Sequence, residues 1–219
     1  ISDFILSDHF QASPFWVSKS HIYESKLINS LLKFQRNVKV VNIDRDLKDV
    51  LVSHYFHLLN SNRITGNFTD YFNKWGLYKA IQYKSYSNAW SEFDFCLNLS
   101  YEAMKGSTSK TIYKIAEYLG VDDFDIEKVL NETSIEKLRS TSKQKGLNEE
   151  EWFFRNGNVG EWKQYFDDEM VSKINSIEAG RITLKEKIGF FIKFRCRVGF
   201  KYLLYRYFPK LYLIIDRRV

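Results

Sequence analysis

The pattern of apolar and polar positions is clearest between Val38 and Asn60. A β-branched apolar run at Val38–Ile43 predicts a buried strand. An acidic-basic-acidic triplet follows it, and apolar residues then recur at roughly helical spacing up to Asn60. Asp46 is placed to cap this helix, and Asp49 adds a carboxylate in the first turn, where it complements the helix dipole. The pattern therefore predicts a strand that runs directly into a helix.

Arg45 lies where the carboxyl end of this strand meets the first free N–H groups of the helix. A guanidinium fork, the helix dipole and unpaired backbone donors all favour an anion at such a point. Arg45 is therefore a candidate phosphate ligand, and a solvated arginine at an ordinary strand–helix turn is the alternative.

A second strand and helix are predicted upstream. Pro14–Ile22 alternates as a strand does, with Lys19 and His21 on one face, and Glu24–Gln35 carries a helical apolar stripe. A helical crossover between neighbouring strands makes them parallel, and ligands of parallel sheets gather beyond the carboxyl ends of the strands. We therefore expect Lys19, His21 and Arg45 to face one group-transfer site, although each alone also suits a structural or solvated role.

The rest of the chain alternates between helical and extended patterns. The predicted elements are an aromatic helical stretch at Asn67–Glu92, a strand at Phe93–Ser100, a helix from Ser107 to Gly120, short helices within Asp125–Ser140 and a last helix at Asp168–Ile177. The aromatic stretch is explained by helices that pack on the sheet, or alternatively by an acceptor-binding wall. The order of elements indicates an α/β protein with a parallel sheet.

Composition narrows the class of protein. The 219 residues, 44% hydrophobic and 17% aromatic with two prolines, suit one folded domain. A formal net charge of +6 favours anionic partners such as phosphates, nucleic acid or membrane lipid. Two distant cysteines, the absence of a long uncharged apolar run and the lack of a signal-like start predict a soluble, cytoplasmic protein.

Several common site motifs are absent. The segment from Gly106 to Thr111 follows a strand and opens a helix as a P-loop does, but Ser109 precedes Lys110 where that motif needs glycine. No GxGxxG, HExxH, GxSxG or paired-cysteine pattern occurs, so no metal, dinucleotide or serine-hydrolase site is expected. The segment Trp152–Lys163, with two glycines and an arginine among aromatic residues, suits phosphate binding instead.

Four segments resemble, in the same order, the motifs of cytosolic-type sulfotransferases. Trp16–His21 resembles their Lys-Thr-His stretch, and Arg45–Tyr55 resembles Arg-Asn-Pro-Lys-Asp-Val…Ser-Tyr. Tyr101–Lys105 resembles Tyr-Glu-Asp-Met-Lys, and Phe154–Lys163 resembles the closing Arg-Lys-Gly…Gly-Asp-Trp-Lys block. The match spans about Phe15 to Ile177.

The resemblance implies a P-loop-like parallel α/β fold in three layers. It also implies transfer of a sulfuryl group from 3′-phosphoadenosine 5′-phosphosulfate (PAPS) to an acceptor hydroxyl or amine, with His21 as general base and Lys19 steadying charge. The residues implied to bind the donor are Arg45, Ser53, Arg155, Asn156 and Gly157 at its 3′-phosphate, and Tyr101 and Thr133 beside its adenine.

The chain departs from the family pattern at defined positions. A Pro-Lys-Ser-Gly-Thr-Thr-type loop, which cradles the 5′-phosphosulfate in the family, does not precede Lys19, so we expect an N-terminally incomplete domain. Either the sequence is a fragment, or another chain supplies this loop. Asn156 replaces a lysine, and Ile135 stands where an aromatic residue often stacks on adenine. Asp167 and Asp168 stand where the family's dimer contact has Thr-Val, so dimerisation through that motif is not expected.

The C-terminal part differs from the preceding domain. We expect a sulfotransferase-like domain at 1–179 and a basic, aromatic, helical extension at 180–219. Residues 181–208 suit contact with an anionic membrane surface or another subunit, and a helix that covers the domain with its charges in water is the alternative.

The leading hypothesis is a PAPS-dependent sulfotransferase acting on a small-molecule, lipid or sugar acceptor. The alternative is a non-catalytic module that binds a nucleotide or polyanion on the same fold. The basic charge also suits a nucleic-acid binder, but no recognised motif of that class occurs, so nucleic acid is not an expected partner. The expected location is the cytoplasm, with peripheral membrane contact through the extension.

Overall fold

The structure, a computed structural model, describes residues 39–91, 93, 95–144, 157–181 and 183. The strands are β1 (Val40–Asp44) and β2 (Cys96–Ser100). The helices are α1 (Leu47–Asn60), α2 (Phe68–Tyr71), α3 (Leu77–Ser91), α4 (Tyr101–Gly106), α5 (Thr108–Leu119), α6 (Ile126–Glu132), α7 (Ile135–Gln144) and α8 (Asp168–Glu178). A π-helical turn at Phe72–Gly76 joins α2 to α3, and a 3₁₀ turn at Glu161–Gln164 precedes α8.

The two described strands pair in parallel. Their register runs from Val40 opposite Cys96 to Asp44 opposite Ser100, and the connection between them passes through α1, α2 and α3. The parallel pairing and the helical crossover agree with the predicted α/β class. Both strands end at the same edge of the sheet, so β1 delivers Arg45 to the edge where β2 delivers Tyr101.

β2 is shorter than the sequence predicted. The stretch before it forms a turn, in which Phe93 N–H donates to the Trp90 carbonyl and Cys96 N–H donates to the Phe93 carbonyl. The rings of Phe93, Phe95 and Trp90 pack together at this corner, with Phe93 and Phe95 5.2 Å apart. The predicted start at Phe93 was therefore wrong, because these aromatic residues close a helix–strand corner instead of extending the strand.

Helix α1 begins as the sequence predicted. Asp46 is its N-cap, and its carboxylate accepts a hydrogen bond of 2.8 Å from the N–H of Lys48. Its buried face carries Leu51, Val52 and Tyr55 into the core. The core cluster comprises Leu47, Leu51, Val52, Tyr55, Phe68, Tyr71, Phe72, Ala80, Met170, Ile174 and Ile177.

Much of the aromatic stretch after Asn67 packs in this core. Phe68, Tyr71 and Phe72 are buried, and the rings of Tyr55 and Phe68 meet edge to face at 5.5 Å. The π-helical turn was not predicted. It closes at Gly76, where a Cβ atom would lie 3.0 Å from the Phe72 ring, so this glycine permits the tight packing.

The second half of the described chain is mostly helical. α5 ends at Gly120, whose φ of +74° is left-handed, as the sequence predicted for a helix stop. The break expected between Asn131 and Ser134 separates α6 from α7. Helix α4 was not predicted; it begins directly after β2, and the Ser100 hydroxyl caps it by accepting from Ala103 N–H.

Some predicted elements lie outside the described residues. These are the strand at Pro14–Ile22, the helix at Glu24–Gln35 and all of the C-terminal extension beyond residue 183. Within the ranges that the structure covers, no helix is both long enough and apolar enough to span a membrane.

Candidate functional site

Asp49 connects the strand–helix turn to a segment more than a hundred residues later. Its side chain is buried at 2% exposure. Oδ2 accepts a hydrogen bond of 2.6 Å from Gly160 N–H, and Oδ1 accepts one of 3.0 Å from Trp162 N–H. Charge-assisted hydrogen bonds to a buried carboxylate are strong, so Asp49 holds the segment 157–162 against the N-terminal turn of α1.

Lys48 makes a second connection between the same parts. Its ammonium lies 5.1 Å from the centre of the Trp162 ring, a cation–π distance. The same Nζ lies 3.5 Å from Asp46 Oδ1 and 3.6 Å from Glu178 Oε2. The buried lysine therefore links the start of α1 to the 3₁₀ turn and to the end of α8.

Arg45 is held on both sides by the elements that these contacts bring together. Its Nη2 donates a hydrogen bond of 2.7 Å to the Asn158 carbonyl and lies 3.9 Å from Asp49 Oδ2. Its guanidinium carbon lies 4.3 Å from the centre of the Tyr101 ring. The charge is thus oriented before any ligand arrives, and the cost of ordering this long side chain has already been met in the fold.

Tyr101, the first residue of α4 directly after β2, contacts both Arg45 and the segment that begins at Gly157. Its hydroxyl donates a hydrogen bond of 2.9 Å to the Gly157 carbonyl. Gly157 has a φ of +62°, and a Cβ atom there would lie 3.1 Å from both Ile135 Cδ1 and the Tyr101 hydroxyl. Only glycine fits this position without displacing a neighbour, so Gly157 packs closely against Tyr101 and Ile135, and these three residues form with Arg45 the cluster named the cradle.

Glu102 holds the residues that follow β1 against the end of β2. Its Oε1 accepts from Asp46 N–H at 3.0 Å, and its Oε2 accepts from the Ser100 hydroxyl at 2.7 Å. Burial alone would raise the pKa of Glu102, but these hydrogen bonds and the charge of Arg45 lower it overall. Glu102 is therefore an anion at neutral pH and joins the end of β1 to the start of α4.

The predicted donor residues fall into three groups in the structure. Arg45, Tyr101 and Gly157 lie around the same cradle. Ser53 is exposed on α1, eight residues and about two turns beyond Arg45. Thr133 is the C-cap of α6, and its hydroxyl donates a hydrogen bond of 2.6 Å to the Val129 carbonyl of that helix.

The remaining predicted site residues lie outside the described part of the chain. They are His21, Lys19, Arg155 and Asn156. Their roles stay predictions.

Sequence reasoning missed the residues that hold the cradle together. It assigned Asp49 only to the helix dipole, and it gave no part to Glu102 or to the Asn158 carbonyl. Asp49 was visible as a first-turn acid and as part of the motif-like segment Arg45–Tyr55, but neither signal identifies its partners, which lie 111 and 113 residues away.

A separate polar cluster lies deeper between α1, α2 and α3. His54 Nδ1 lies 2.8 Å from the Tyr71 hydroxyl, and the Tyr83 ring meets the imidazole edge to face at 6.3 Å. Burial, with the charges of Lys79 and His57, lowers the pKa of His54 to about 4. His54 is therefore neutral at physiological pH, and burial also lowers the pKa of Lys79.

Comparison of the sequence with known proteins gives a consistent result. The family described as Sulfotransferase domain matches residues 9–186. Sulfotransferase 1E1 of Bos taurus is 31% identical over 173 residues, which cover 71% of this chain and 57% of that protein. A Flavonol sulfotransferase-like protein of Flaveria bidentis is 31% identical over 166 residues, which cover 64% of this chain and 53% of that protein. The match thus spans little more than half the length of these relatives.

Solved structures agree with the sequence comparison. A crystal structure of retinol dehydratase in complex with androsterone and the inactive cofactor PAP matches with a TM-score of 0.55 and 25% identity, over 68% of this chain and 48% of that chain. Mouse sulfotransferase SULT7A1 complexed with PAP matches in fold with a TM-score of 0.57 and 22% identity, over 73% of this chain and 63% of that chain.

Proposed function

The chain belongs to the sulfotransferase domain family and has its α/β fold, and we propose that the protein transfers a sulfuryl group from PAPS to an acceptor hydroxyl or amine. One observation carries the proposal. Arg45, Tyr101 and Gly157, which come from three separate matching motifs, surround one cradle. Convergence of three motifs at the carboxyl edge of a parallel sheet supports a binding site for the donor nucleotide.

The cradle fits an anionic ligand on two further counts. Among the described residues, no acceptor contacts the buried Arg45 Nε, so this part of the guanidinium has no partner within those ranges. The Gly157 carbonyl accepts from the Tyr101 hydroxyl and the Asn158 carbonyl accepts from Arg45, so this backbone is fixed beside the guanidinium. A phosphate group supplies acceptors for the guanidinium at this place.

The donor, when bound, supplies the sulfuryl group and a bisphosphate leaving group. We assign Arg45, Ser53, Arg155, Asn156 and Gly157 to its 3′-phosphate, and Tyr101 and Thr133 to the neighbourhood of its adenine. The fixed positive charge of Arg45 stabilises the negative charge of the bisphosphate. Preorganised electrostatic stabilisation of this kind is a major source of catalysis.

The acceptor chemistry rests on His21 and Lys19. A hydroxyl is a poor nucleophile at neutral pH, and a positioned imidazole typically contributes about 10²–10⁴-fold to such a step. In the proposed step His21 takes the acceptor's proton as the acceptor oxygen bonds to sulfur. The sulfur–oxygen bond to the donor phosphate breaks, and Lys19 steadies the charge that develops there. The matching motif at Trp16–His21 supports these assignments.

The acceptor class follows from the named relatives. One solved relative binds androsterone and another complex of it binds retinol, and a curated relative is named for flavonol sulfation. We therefore propose a small-molecule acceptor with a hydroxyl group on an apolar skeleton. Lipid and sugar acceptors, which the sequence also allowed, are tested together with such small molecules. A relative named Cytosolic sulfotransferase 5 of Arabidopsis thaliana supports a cytoplasmic location.

The proposed domain organisation places the enzyme domain at 1–179. Helix α8 ends at Glu178, and Gly180 follows with a φ of +69°, while the family match continues to residue 186. We propose that 180–219 is an appended extension, with membrane-surface contact through 181–208. Deletion of 181–208 from the protein should abolish its sedimentation with anionic vesicles, and retained sedimentation would discard this role.

The test of function is calorimetric titration of 3′-phosphoadenosine 5′-phosphate into the full-length natural protein and its Arg45→Ala variant. We expect micromolar binding to the wild type and a loss of about 1.5–3 kcal/mol in the variant, the size of a charge-assisted contact. Absence of binding to the wild type would overturn the proposal.

Catalysis is tested next with PAPS and a panel of hydroxyl acceptors. Turnover that disappears in His21→Ala, with nucleotide binding kept, supports the enzyme. Nucleotide binding without turnover of any acceptor would favour the alternative, a non-catalytic binding module on the same fold.

A further inference from the structure

Lys105 is a positively charged residue beside the cradle. It follows Tyr101 by four residues on α4, so both side chains rise from the same face of the helix. Its Nζ lies 3.8 Å from the position that a Cβ atom would take on Gly157. Because the Tyr101 hydroxyl holds the Gly157 carbonyl, the Lys105 ammonium and the Arg45 guanidinium both lie close to the segment that begins at Gly157.

The charge of Lys105 is not neutralised by the described residues. The side chain is exposed, and no carboxylate within those ranges forms an ion pair with it. Glu102, three residues earlier on the same helix, is directed to Asp46 N–H and the Ser100 hydroxyl instead. An ammonium group beside a crowded glycine therefore remains available to an anion that enters the cradle.

The neighbouring sequence lacks a positive charge at a comparable place. Asn156 directly precedes Gly157, where the family's Arg-Lys-Gly block carries a lysine. The sequence therefore carries one positive charge fewer directly before Gly157 than the family motif does. Lys105, the last residue of the segment that resembles Tyr-Glu-Asp-Met-Lys, approaches the same glycine from α4.

We propose that Lys105 is a further phosphate-binding residue of this site, where its exposed ammonium contacts the 3′-phosphate of the donor. The inference rests on the function proposed above and adds to it a residue that distinguishes ligands. Because a phosphate at the 3′-position is what separates the donor from common adenine nucleotides, Lys105 contributes to selection of 3′-phosphorylated nucleotides. Lysine suits this role as a flexible point charge on an exposed helix face.

The experiment compares two nucleotides and four proteins. Dissociation constants for 3′-phosphoadenosine 5′-phosphate and for adenosine 5′-monophosphate are measured with the full-length wild type, Lys105→Gln, Lys105→Arg and Lys110→Gln, with competition titration for the weaker ligand. Lys110 is a matched control because it is an exposed lysine on the adjacent helix α5. Thermal unfolding of all four proteins checks that the substitutions leave the fold intact.

We expect Lys105→Gln to weaken binding of the bisphosphate by about 5–20-fold. This is at or below the lower end of the range for a contact to a charged group, because the side chain is exposed. Binding of the monophosphate should change by less than about twofold, as should both affinities in Lys110→Gln. Lys105→Arg should keep most of the discrimination, because it keeps the charge.

Two results would overturn the inference alone. They are an unchanged affinity for the bisphosphate in Lys105→Gln, and an equal loss for both nucleotides, which would indicate a general field effect instead of a contact with the 3′-phosphate. In both cases a wild type that binds the bisphosphate leaves the proposed function intact. A wild type that binds neither nucleotide would overturn the proposed function and this inference together.

Discussion

The carboxylate of Asp49 accepts a hydrogen bond of 2.6 Å from the backbone N–H of Gly160, across 111 residues of sequence. This contact fixes the position of the neighbouring Asn158 carbonyl, to which Arg45 donates. The buried acid thus acts on Arg45 through the backbone of another segment. The predictions below follow from this arrangement and from the cradle that it supports.

The first prediction concerns Asp49→Asn. The amide places an NH₂ group against one of the two backbone N–H donors and removes the negative charge beside Arg45. We expect a loss of about 2–4 kcal/mol in the free energy of unfolding, because a buried hydrogen-bonded charge is broken. Urea denaturation measures the loss. Asp122→Asn, at an exposed loop position, should stay within about 0.5 kcal/mol of wild type. Equal stability of the two variants would show that the hydrogen bonds of Asp49 to Gly160 and Trp162 do not stabilise the fold.

The second prediction concerns Gly157→Ala. The added Cβ would meet Ile135 and the Tyr101 hydroxyl at 3.1 Å in a backbone with a φ of +62°. We expect a destabilisation of about 1–2 kcal/mol and weaker binding of 3′-phosphoadenosine 5′-phosphate, because alanine disfavours this conformation and fills the cradle. Thermal unfolding and calorimetry measure the two effects.

The matched control for that variant is Gly106→Ala. Nothing lies within 4 Å of a Cβ atom at Gly106, and its φ is not in the left-handed region. Alanine there should leave stability unchanged or raise it by up to about 1 kcal/mol. A Gly157→Ala protein as stable and as tightly binding as Gly106→Ala would contradict the role of the cradle.

The third prediction separates the two contacts of Tyr101. Tyr101→Phe keeps the ring under Arg45 but removes the 2.9 Å hydrogen bond to the Gly157 carbonyl. The free energy of unfolding should fall by about 0.5–1.5 kcal/mol. Tyr101→Leu also removes the cation–π contact, so it should weaken nucleotide binding further. Identical nucleotide affinities for the two variants would mean that the ring does not orient Arg45.

The fourth prediction is a pH dependence of stability from His54. Its pKa is about 4 in the folded protein, below the ordinary value of 6.5 that applies once the chain unfolds. The unfolded chain therefore binds more protons between these values. Stability from this group is complete above about pH 6.5 and falls toward pH 4, with a slope of at most about 1.4 kcal/mol per pH unit.

Chemical denaturation at a series of pH values tests the effect. His54→Gln carries no titrating group at that position, so its stability curve should be flatter than that of the wild type between pH 6.5 and 4. Parallel curves for the two proteins would place the acid sensitivity elsewhere.

Local sequence signals predicted the parts of the fold that depend on nearby residues. Asp46 capping α1 and Gly120 ending α5 are both properties of one helix end and its immediate neighbours. These two predictions were confirmed because the interactions that decide them lie within a few residues. The parallel direction of the sheet followed from the order of elements, because a helical crossover between neighbouring strands fixes it.

The contacts by which Asp49 holds the segment 157–162 against α1 could not be predicted in the same way. The partners of Asp49 are backbone N–H groups, which every residue but proline carries, so no residue type identifies Gly160 or Trp162 as partners. Helix α4 was missed because the pattern of β2 continues directly into Tyr101 without a separating turn residue. The family resemblance brought Gly157 and Tyr101 into one donor site, but only coordinates show that they contact each other.

The hydrogen bond from Arg45 to Asn158 has a consequence for the order of events during synthesis. The strand–helix turn leaves the ribosome first, and the chain must grow by a further 113 residues before the acceptor of this bond exists. A nascent chain that ends at Gln144 contains β1, α1, α4 and Tyr101, yet it lacks the Asn158 carbonyl that accepts from the guanidinium. The environment of Arg45 is therefore completed only after Gly157–Trp162 has been synthesised and has docked on Asp49.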